Sequence, residues 1–254
     1  MKMRSLILAT VVSISVLWGV TPVLKAAAQS AAFECLAGKK ISDPQGRALL
    51  DKVQTRYASL AVMHGSFRQD SFVAALEQSE SSVGEVWFAK PGKMRWEYTR
   101  PQPQTVIIKG QELWLYQPDK RQVLVDDIQQ VLLSALPVAF MMGVGNLTRD
   151  FEFKGACESE AGVVVTLEPR KNVDKNGNSS EGLEGFLLLV DQSRYIPIGA
   201  KITSLGGNVT AIVFSNLSTD SAGVTPRTFV LEYPKGVDVV DRRTPRQGGS
   251  SGTE

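Results

Sequence analysis

The sequence predicts a mainly β chain: a meandering antiparallel sheet interrupted by two helical stretches. Three observations predict it. Runs of alternating or apolar β-type residues recur at about 8–12-residue spacing from Gly65 onward. The joints between them carry turn chemistry, as in Pro91-Gly92, Lys109-Gly110, Pro118-Asp119 and Gly206-Gly207-Asn208. Two stretches break this texture: residues 43–60, with helical spacing, and residues 127–145, apolar without β-alternation.

Residues 1–28 read as a signal peptide. Lys2 and Arg4 make a short basic start, Leu6–Val20 is an uncharged apolar run, Pro22 breaks it, and Ala26-Ala27-Ala28 offers small residues to a signal peptidase. An uncleaved anchor is the alternative, because the run to Leu24 approaches the roughly 20 apolar residues that span a bilayer. Cys35 is not a lipidation cysteine, since Phe33 and Glu34 put a ring and a charge where small residues are required. Cleavage after Ala28 removes Lys2, Arg4 and Lys25, leaving 25 basic residues against 26 acidic ones. So balanced a chain has no electrostatic drive toward nucleic acid or an anionic membrane surface. About 220 residues then remain, which suits one all-β domain or two small ones. The expected division is a domain over 29–241 and a polar, Gly/Ser-rich disordered tail over 242–254.

Two cysteines survive, Cys35 and Cys157. In an oxidising exported compartment an even pair reads as a disulfide, with two buried thiols as the alternative. No metal site is expected, because His64 is the lone histidine and no Cys-x-x-Cys is present.

The first helix starts at Ser42-Asp43-Pro44-Gln45. Either Asp43 caps it with Pro44 at the first helical position, or Ser42 caps it with Gln45 reaching back. Leu49, Leu50, Val53, Tyr57 and Leu60 then fall on one face. Strands follow. GSFRQDSFVAAL and SSVGEVWFAK read as a hairpin with a polar loop at 77–82, then KMRWEY, and then three strands within residues 104–127. In KMRWEY, Met94, Trp96 and Tyr98 alternate with Lys93, Arg95 and Glu97. The apolar interruption reads as a short helix with Pro137 in its first turn, carrying Phe140, Met141 and Met142 and ended by Gly143 or Gly145. Methionine pairs suit surfaces that repack against variable apolar partners, though a plain core helix has the same composition. Five further strands are expected: GVVVTLEP, GFLLLVD, YIPIGAKITSL, NVTAIVFSNL and TFVLEY, with a long polar hairpin tip over 172–184.

Catalytic equipment is sparse. Gly248-Gly249-Ser250-Ser251-Gly252 fits the nucleophile-elbow pattern, but it has no strand before it and no helix after it. His64 has no nucleophile placed beside it and reads as a polar residue of the helix-to-strand connection. Asp126-Asp127, Glu158 and Glu160 read as strand-end and loop charges, and no phosphate-binding fingerprint follows a strand. The chain is therefore expected not to be an enzyme.

The words SFRQ and GEVWFAKPGKMRWEYTRPQPQTVIIKGQELWLYQPDKRQVLV are more specific. Together they resemble the periplasmic outer-membrane lipoprotein carrier family, the LolA-type proteins. The matching positions are Phe67 and Gln69, Gly84–Phe88, Lys90–Gly92, Met94–Tyr98, Pro101 and Gly110–Tyr116, and the closing EYPKGVDVVD also fits. The resemblance implies an incomplete, unclosed antiparallel β-barrel with an α-helical lid made of the 44–59 and 137–142 helices. It implies a periplasmic chaperone that takes up the acyl chains of lipoproteins released from the inner membrane and carries them to the outer membrane. Its partners would be the lipoproteins, an inner-membrane ABC lipoprotein-releasing transporter and an outer-membrane lipoprotein receptor. The carrier would be a monomer without cofactor. Two departures stand out. Lys90 occupies the position of an arginine that latches the lid, and a lysine lacks the planar fork of a guanidinium. Cys35 and Cys157 are not part of the pattern.

On this reading the lipid-binding surface is Leu50, Val53, Tyr57, Trp87, Met94, Trp96, Tyr98, Trp114, Phe140, Met141 and Met142, with Lys90 as lid latch. Phe88 competes with Trp87, and Leu115 with Trp114, for the inward face. Alternation alone equally describes an ordinary half-buried strand. The rival functions are a periplasmic lipid-binding protein and an envelope-stress sensor of the same half-barrel fold. Such sensors usually carry a second C-terminal domain.

Overall fold

A computed structural model describes residues 31–127, 146–170 and 183–243. The signal segment, the Phe140–Met142 helix, most of the 172–184 tip and the tail from 244 lie outside the described residues. The chain folds into one open sheet of 13 strands, ordered β1-β8-β9-β10-β11-β12-β2-β3-β4-β5-β6-β7-β13. β1 is Lys40–Ile41, β2 Val62–Val73, β3 Gln78–Ala89, β4 Lys93–Arg100, β5 Gln104–Lys109, β6 Glu112–Gln117 and β7 Gln122–Asp127. β8 is Phe151–Glu158, β9 Val163–Pro169, β10 Leu183–Asp191, β11 Ile196–Ser204, β12 Val209–Ser218 and β13 Asp238–Asp241. Every pairing is antiparallel except β13, which runs parallel to β7. The edge strands β1 and β13 do not pair with each other, so the barrel is unclosed among the described residues.

The long helix α1, Asp43–Ser59, lies across the inner face of this sheet and packs on β8, β11 and the single-turn helix α2, Leu147–Asp150. Its Leu49, Leu50, Val53 and Tyr57 are buried, as helical periodicity predicts. Ser42 takes the N-cap position, but its hydroxyl donates to Gln45 Oε1 at 2.8 Å and caps no backbone amide. One apolar cluster joins α1 to Met63, Met94 and Trp96 on one half of the sheet and to Phe153, Leu188 and Ile196 on the other. A flat sheet could not share a core in this way, so the sheet curls around the helix.

The outer face is covered by segments near both ends of the described residues. Near the N-terminus, Phe33 packs with Cys157, Val164, Leu189 and Ala211. There Cys35 and Cys157 form a disulfide across a sequence separation of 122 with Cα atoms 5.6 Å apart. Closing so long a loop restricts the unfolded chain by about 5 kcal/mol in the chain-entropy account. Near the other end, residues 226–233 lie over β4–β6.

Several expectations are corrected. The loop placed at 77–82 shrinks to a turn of 3-10 helix at Ala74–Leu76 followed by Glu77 in the left-handed region, and β3 already starts at Gln78. His64 lies within β2, opposite Trp87 and Ser218. TFVLEY forms no strand. Pro226–Phe229 is instead a 3-10 turn with a Thr225–Thr228 capping box, whose hydrogen bonds compete with a ladder. β8 was not foreseen. Arg242 and Arg243, placed in the tail, are ion-paired with Asp126 and with Glu112 and Asp241.

Gly84 shows how tightly the curl is built. It sits at a register shift between β3 and β4, and a Cβ there would lie 2.0 Å from the Glu97 carbonyl oxygen and 2.9 Å from the Phe67 ring. Gly155, also at a register shift, has nothing within 4 Å of its Cβ position. Gly84→Ala is expected to cost about 2 kcal/mol or more in urea unfolding, because backbone cannot yield as a side chain does. Gly155→Ala is expected to stay within about 0.5 kcal/mol of the parent. Equal midpoints for the two variants would refute the close approach.

Candidate inner-face binding surface

Register decides which side chains share the inner face. Residues directly opposite in adjacent strands point the same way. One row runs Val86, Trp96, Val106, Leu115, Leu124, and the next runs Met63, Phe88, Met94, Ile108, Leu113. Met94, Trp96 and Tyr98 thus face inward, as their alternation suggested, and Lys93, Arg95 and Glu97 do not. Leu50, Val53 and Tyr57 meet the same core from α1. Trp87 and Trp114 do not join them. Trp87 opposes Arg95, Arg95 opposes Ile107, and Ile107 opposes Trp114, all on the outer face. The inward positions on these strands are Val86 and Phe88, and Leu113 and Leu115. Sequence separates them poorly, because the outer faces of these two strands carry Trp87 and Trp114 and only one nearby charge each, Glu85 and Glu112, marks the phase.

The outer tryptophans have partners of their own. The Arg95 guanidinium lies 5.9 Å from the Trp87 ring centroid, pairs with Glu97, and donates to the Thr228 carbonyl at 3.2 Å. Ile107, Trp114, Phe229 and Tyr233 line a groove of about 300 Å³ beneath the C-terminal segment.

On the inner face an aromatic wall forms. Phe67 meets Trp96 edge-on at 4.7 Å between centroids and Tyr98 at 4.9 Å, and Phe88 and Phe214 flank Trp96 at 5.9 and 6.0 Å. The Tyr98 hydroxyl donates to Gln69 Oε1 at 3.1 Å. The Phe-x-Gln and Trp-x-Tyr words of the sequence therefore meet in space, with Gly84 between them. Phe67 and Gln69 were legible as motif residues, but Phe88 was only one of two candidates and Phe214 carried no signal. Where α1 packs, the inner face is filled. Toward β5–β7 the described residues fill it less, and Val106, Leu113, Leu115 and Leu124 are only half-buried.

Lys90 does reach the helix. Its ammonium donates to the Tyr57 carbonyl in the last turn of α1 and stands 4.0 Å from the Tyr57 ring centroid. A cation at a helix C-terminus meets the negative end of the helix dipole. Burial pulls the Lys90 pKa below the ordinary lysine value. At the other side of α1, Gln54 accepts the Leu147 amide at 2.8 Å and ties the helix to α2. Among the described residues no group of His, Cys, Asp and Glu could hold a metal ion.

Known proteins resemble this chain in sequence and in fold. A family profile described as "Outer membrane lipoprotein carrier protein LolA" matches residues 58–231. An outer-membrane lipoprotein carrier protein of Chromobacterium violaceum is 31% identical over 161 residues, covering 63% of this chain and 73% of that protein. A protein of the same description from Methylococcus capsulatus is 27% identical over 209 residues, covering 81% and 91%. The crystal structure of an uncharacterised conserved protein from Thermus thermophilus covers 78% of this chain and 99% of its own, with a TM-score of 0.50 and 16% identity. It shares the fold.

The inner face also sets an alkaline limit. Burial, with the Glu80 charge adding, raises the Tyr98 phenol from 10.0 to about 12, and burial raises Tyr57 further. A raised phenol favours the folded state fully below its unfolded pKa near 10, and that contribution is lost as pH climbs through the folded value. Stability is therefore expected to fall from about pH 10 toward 12, with these two phenolates appearing at about 295 nm only as the fold is lost. Tyr98→Phe should move the alkaline midpoint upward. Tyr57 and Tyr98 ionising well before unfolding would contradict their burial.

Proposed function

The chain belongs to the outer membrane lipoprotein carrier family, and from that premise we propose that it is a periplasmic chaperone carrying lipoproteins from the inner to the outer membrane. It binds their acyl chains on the inner face of the open barrel. The observation that carries this reading is the inner-face strip Val106, Leu113, Leu115 and Leu124, apolar, half-buried, and continuous with the Trp96 wall. Acyl burial is worth roughly 0.8 kcal/mol per methylene, so a sixteen-carbon chain needs on the order of 12 kcal/mol of shelter that a few isolated side chains cannot give. A sheet face can give it. The partners are the lipoproteins, the inner-membrane transporter that releases them, and an outer-membrane receptor. The work is binding rather than catalysis, and Lys90 acts as latch on α1.

The test uses spheroplasts whose inner membrane holds radiolabelled lipoproteins. Purified protein is expected to bring label into the supernatant as a one-to-one complex. Leu115→Glu puts a charge on the inner strip and should cut release about tenfold or more. Trp114→Gln, one residue away on the outer face, should release nearly as the parent does, and thermal melts of both verify folding. Phospholipid bound without lipoprotein would replace the carrier by a lipid-binding protein. Equal loss from both variants would remove the inner strip from the account.

A further inference from the structure

Two hairpin tips at one end of the sheet expose apolar side chains that the inner surface does not use. The β2–β3 tip carries Val73, exposed at 40%, and Leu76, at 63%, with Phe72 beside them at 37%, while the β11–β12 tip carries Leu205 at 66%. The strands leading to the tips are neighbours, with Val209 opposite Phe72. The tips are also tied together. The Ala74 amide donates to Asn208 Oδ1 at 2.9 Å, and a Cβ on Gly207 would stand 3.3 Å from that of Ala74.

Each apex makes hydrogen bonds of its own. The Glu77 amide donates to Ala74 O, Gly207 to Ser204 O, Ser204 to Asn208 O, and Asn208 to Ser204 Oγ. Residues 72–76 and 204–209 carry no charged side chain, and Glu77 is the nearest one in sequence. Backbone that keeps its hydrogen bonds to itself is what an apolar medium requires.

We propose that these tips form a membrane-contact site, in which Leu76 and Leu205 dip into the interfacial region of a lipid bilayer. Geometry selects the bilayer over a protein partner. The exposed apolar area is roughly 400 Å², about half of what each side of a stable protein interface buries. It also stands on two loop apices and not on a flat face or in a groove. A bilayer accepts a narrow uncharged protrusion; a second copy of the chain or a receptor needs breadth. The contact is weak and reversible, as insertion of a few side chains must be, and it is carried by apolar insertion, since residues 72–76 and 204–209 hold no basic side chain. The site does not depend on the carrier reading.

The experiment is flotation of purified protein with uncharged phosphatidylcholine vesicles. The parent is expected to co-float to an extent unchanged between about 0.05 and 0.5 M salt, a range over which screened charge attraction would collapse. The Leu76→Ser, Leu205→Ser double variant is expected to lose about tenfold or more of that partition with an unchanged melting temperature, since both residues are surface positions. Leu76→Trp should shift its emission to the blue on vesicles and be quenched by brominated acyl chains. Equal co-flotation of parent and double variant, or none by the parent, would overturn the proposal. So would a concentration-dependent dimer abolished by the double variant, which would assign the tips to a second copy. A protein partner captured through the tips without vesicle binding would assign them to a receptor.

Discussion

The burial of α1 across the inner face of an open sheet is the interaction on which the rest depends. A closed barrel hides its interior by meeting its own edge. This sheet ends at β1 and β13 without joining them, so something other than a strand must fill the curl. Val53 of α1 is fully buried, and Leu50 and Tyr57 nearly so. The helix is held at both ends. Its start follows β1, which pairs with Cys157 and Ala156 on β8 beside the disulfide, and Gly46 lets it lie against the Phe153 ring. Its last turn gives the Tyr57 carbonyl to Lys90. The same contacts that shape the sheet thus fix the helix as one wall of the inner surface.

The outer face poses the complementary problem, and two separate pieces of chain solve it. Phe33 and the disulfide cover one half; Phe229 and the segment after it cover the other. This double coverage explains why sequence reading went furthest in KMRWEY and stopped short in GEVWFA and ELWLY. In KMRWEY the outward residues Lys93, Arg95 and Glu97 are all charged, so alternation alone finds the face. In β3 and β6 the outward Trp87 and Trp114 are as apolar as their inward neighbours, because they face covered surface. Only Glu85 and Glu112 then carry the phase, and register with Arg95 settles it. β8 was illegible for a related reason: the register shift between Phe153 and Gly155 breaks its period midway. TFVLEY misled through composition. Its β-type residues are there to cover a sheet, not to extend one.

Lys90 illustrates a different limit. From sequence, losing the guanidinium fork argued against a latch of the family kind. The structure shows the Lys90 ammonium donating to a lone carbonyl at a helix end, a geometry that calls for no fork. A fork is useful for two acceptors in a plane. Whether lysine can serve depends on the partner, which the sequence does not display.

Magnitudes also decide which part of the inner face would open first to a lipid. Leu49, Leu50, Val53 and Tyr57 each gain roughly 1.5–3 kcal/mol from burial, so lifting α1 off the sheet would expose on the order of 6–12 kcal/mol of apolar contact. That is comparable with a protein's whole stability, and it would come before the loss of the Lys90 and Gln54 hydrogen bonds. A chain arriving from a bilayer is already out of water, so moving it into the barrel gains little with which to offset such a cost. The half-buried strip on β5–β7 carries no such cost, since Val106, Leu113, Leu115 and Leu124 are not sealed by α1. On the carrier reading, the first acyl chain therefore lies along that strip, with Trp96 and Tyr98 as its boundary. Leu50, Val53 and Tyr57 then act as the fixed back wall, and they touch cargo only if further chains follow the first.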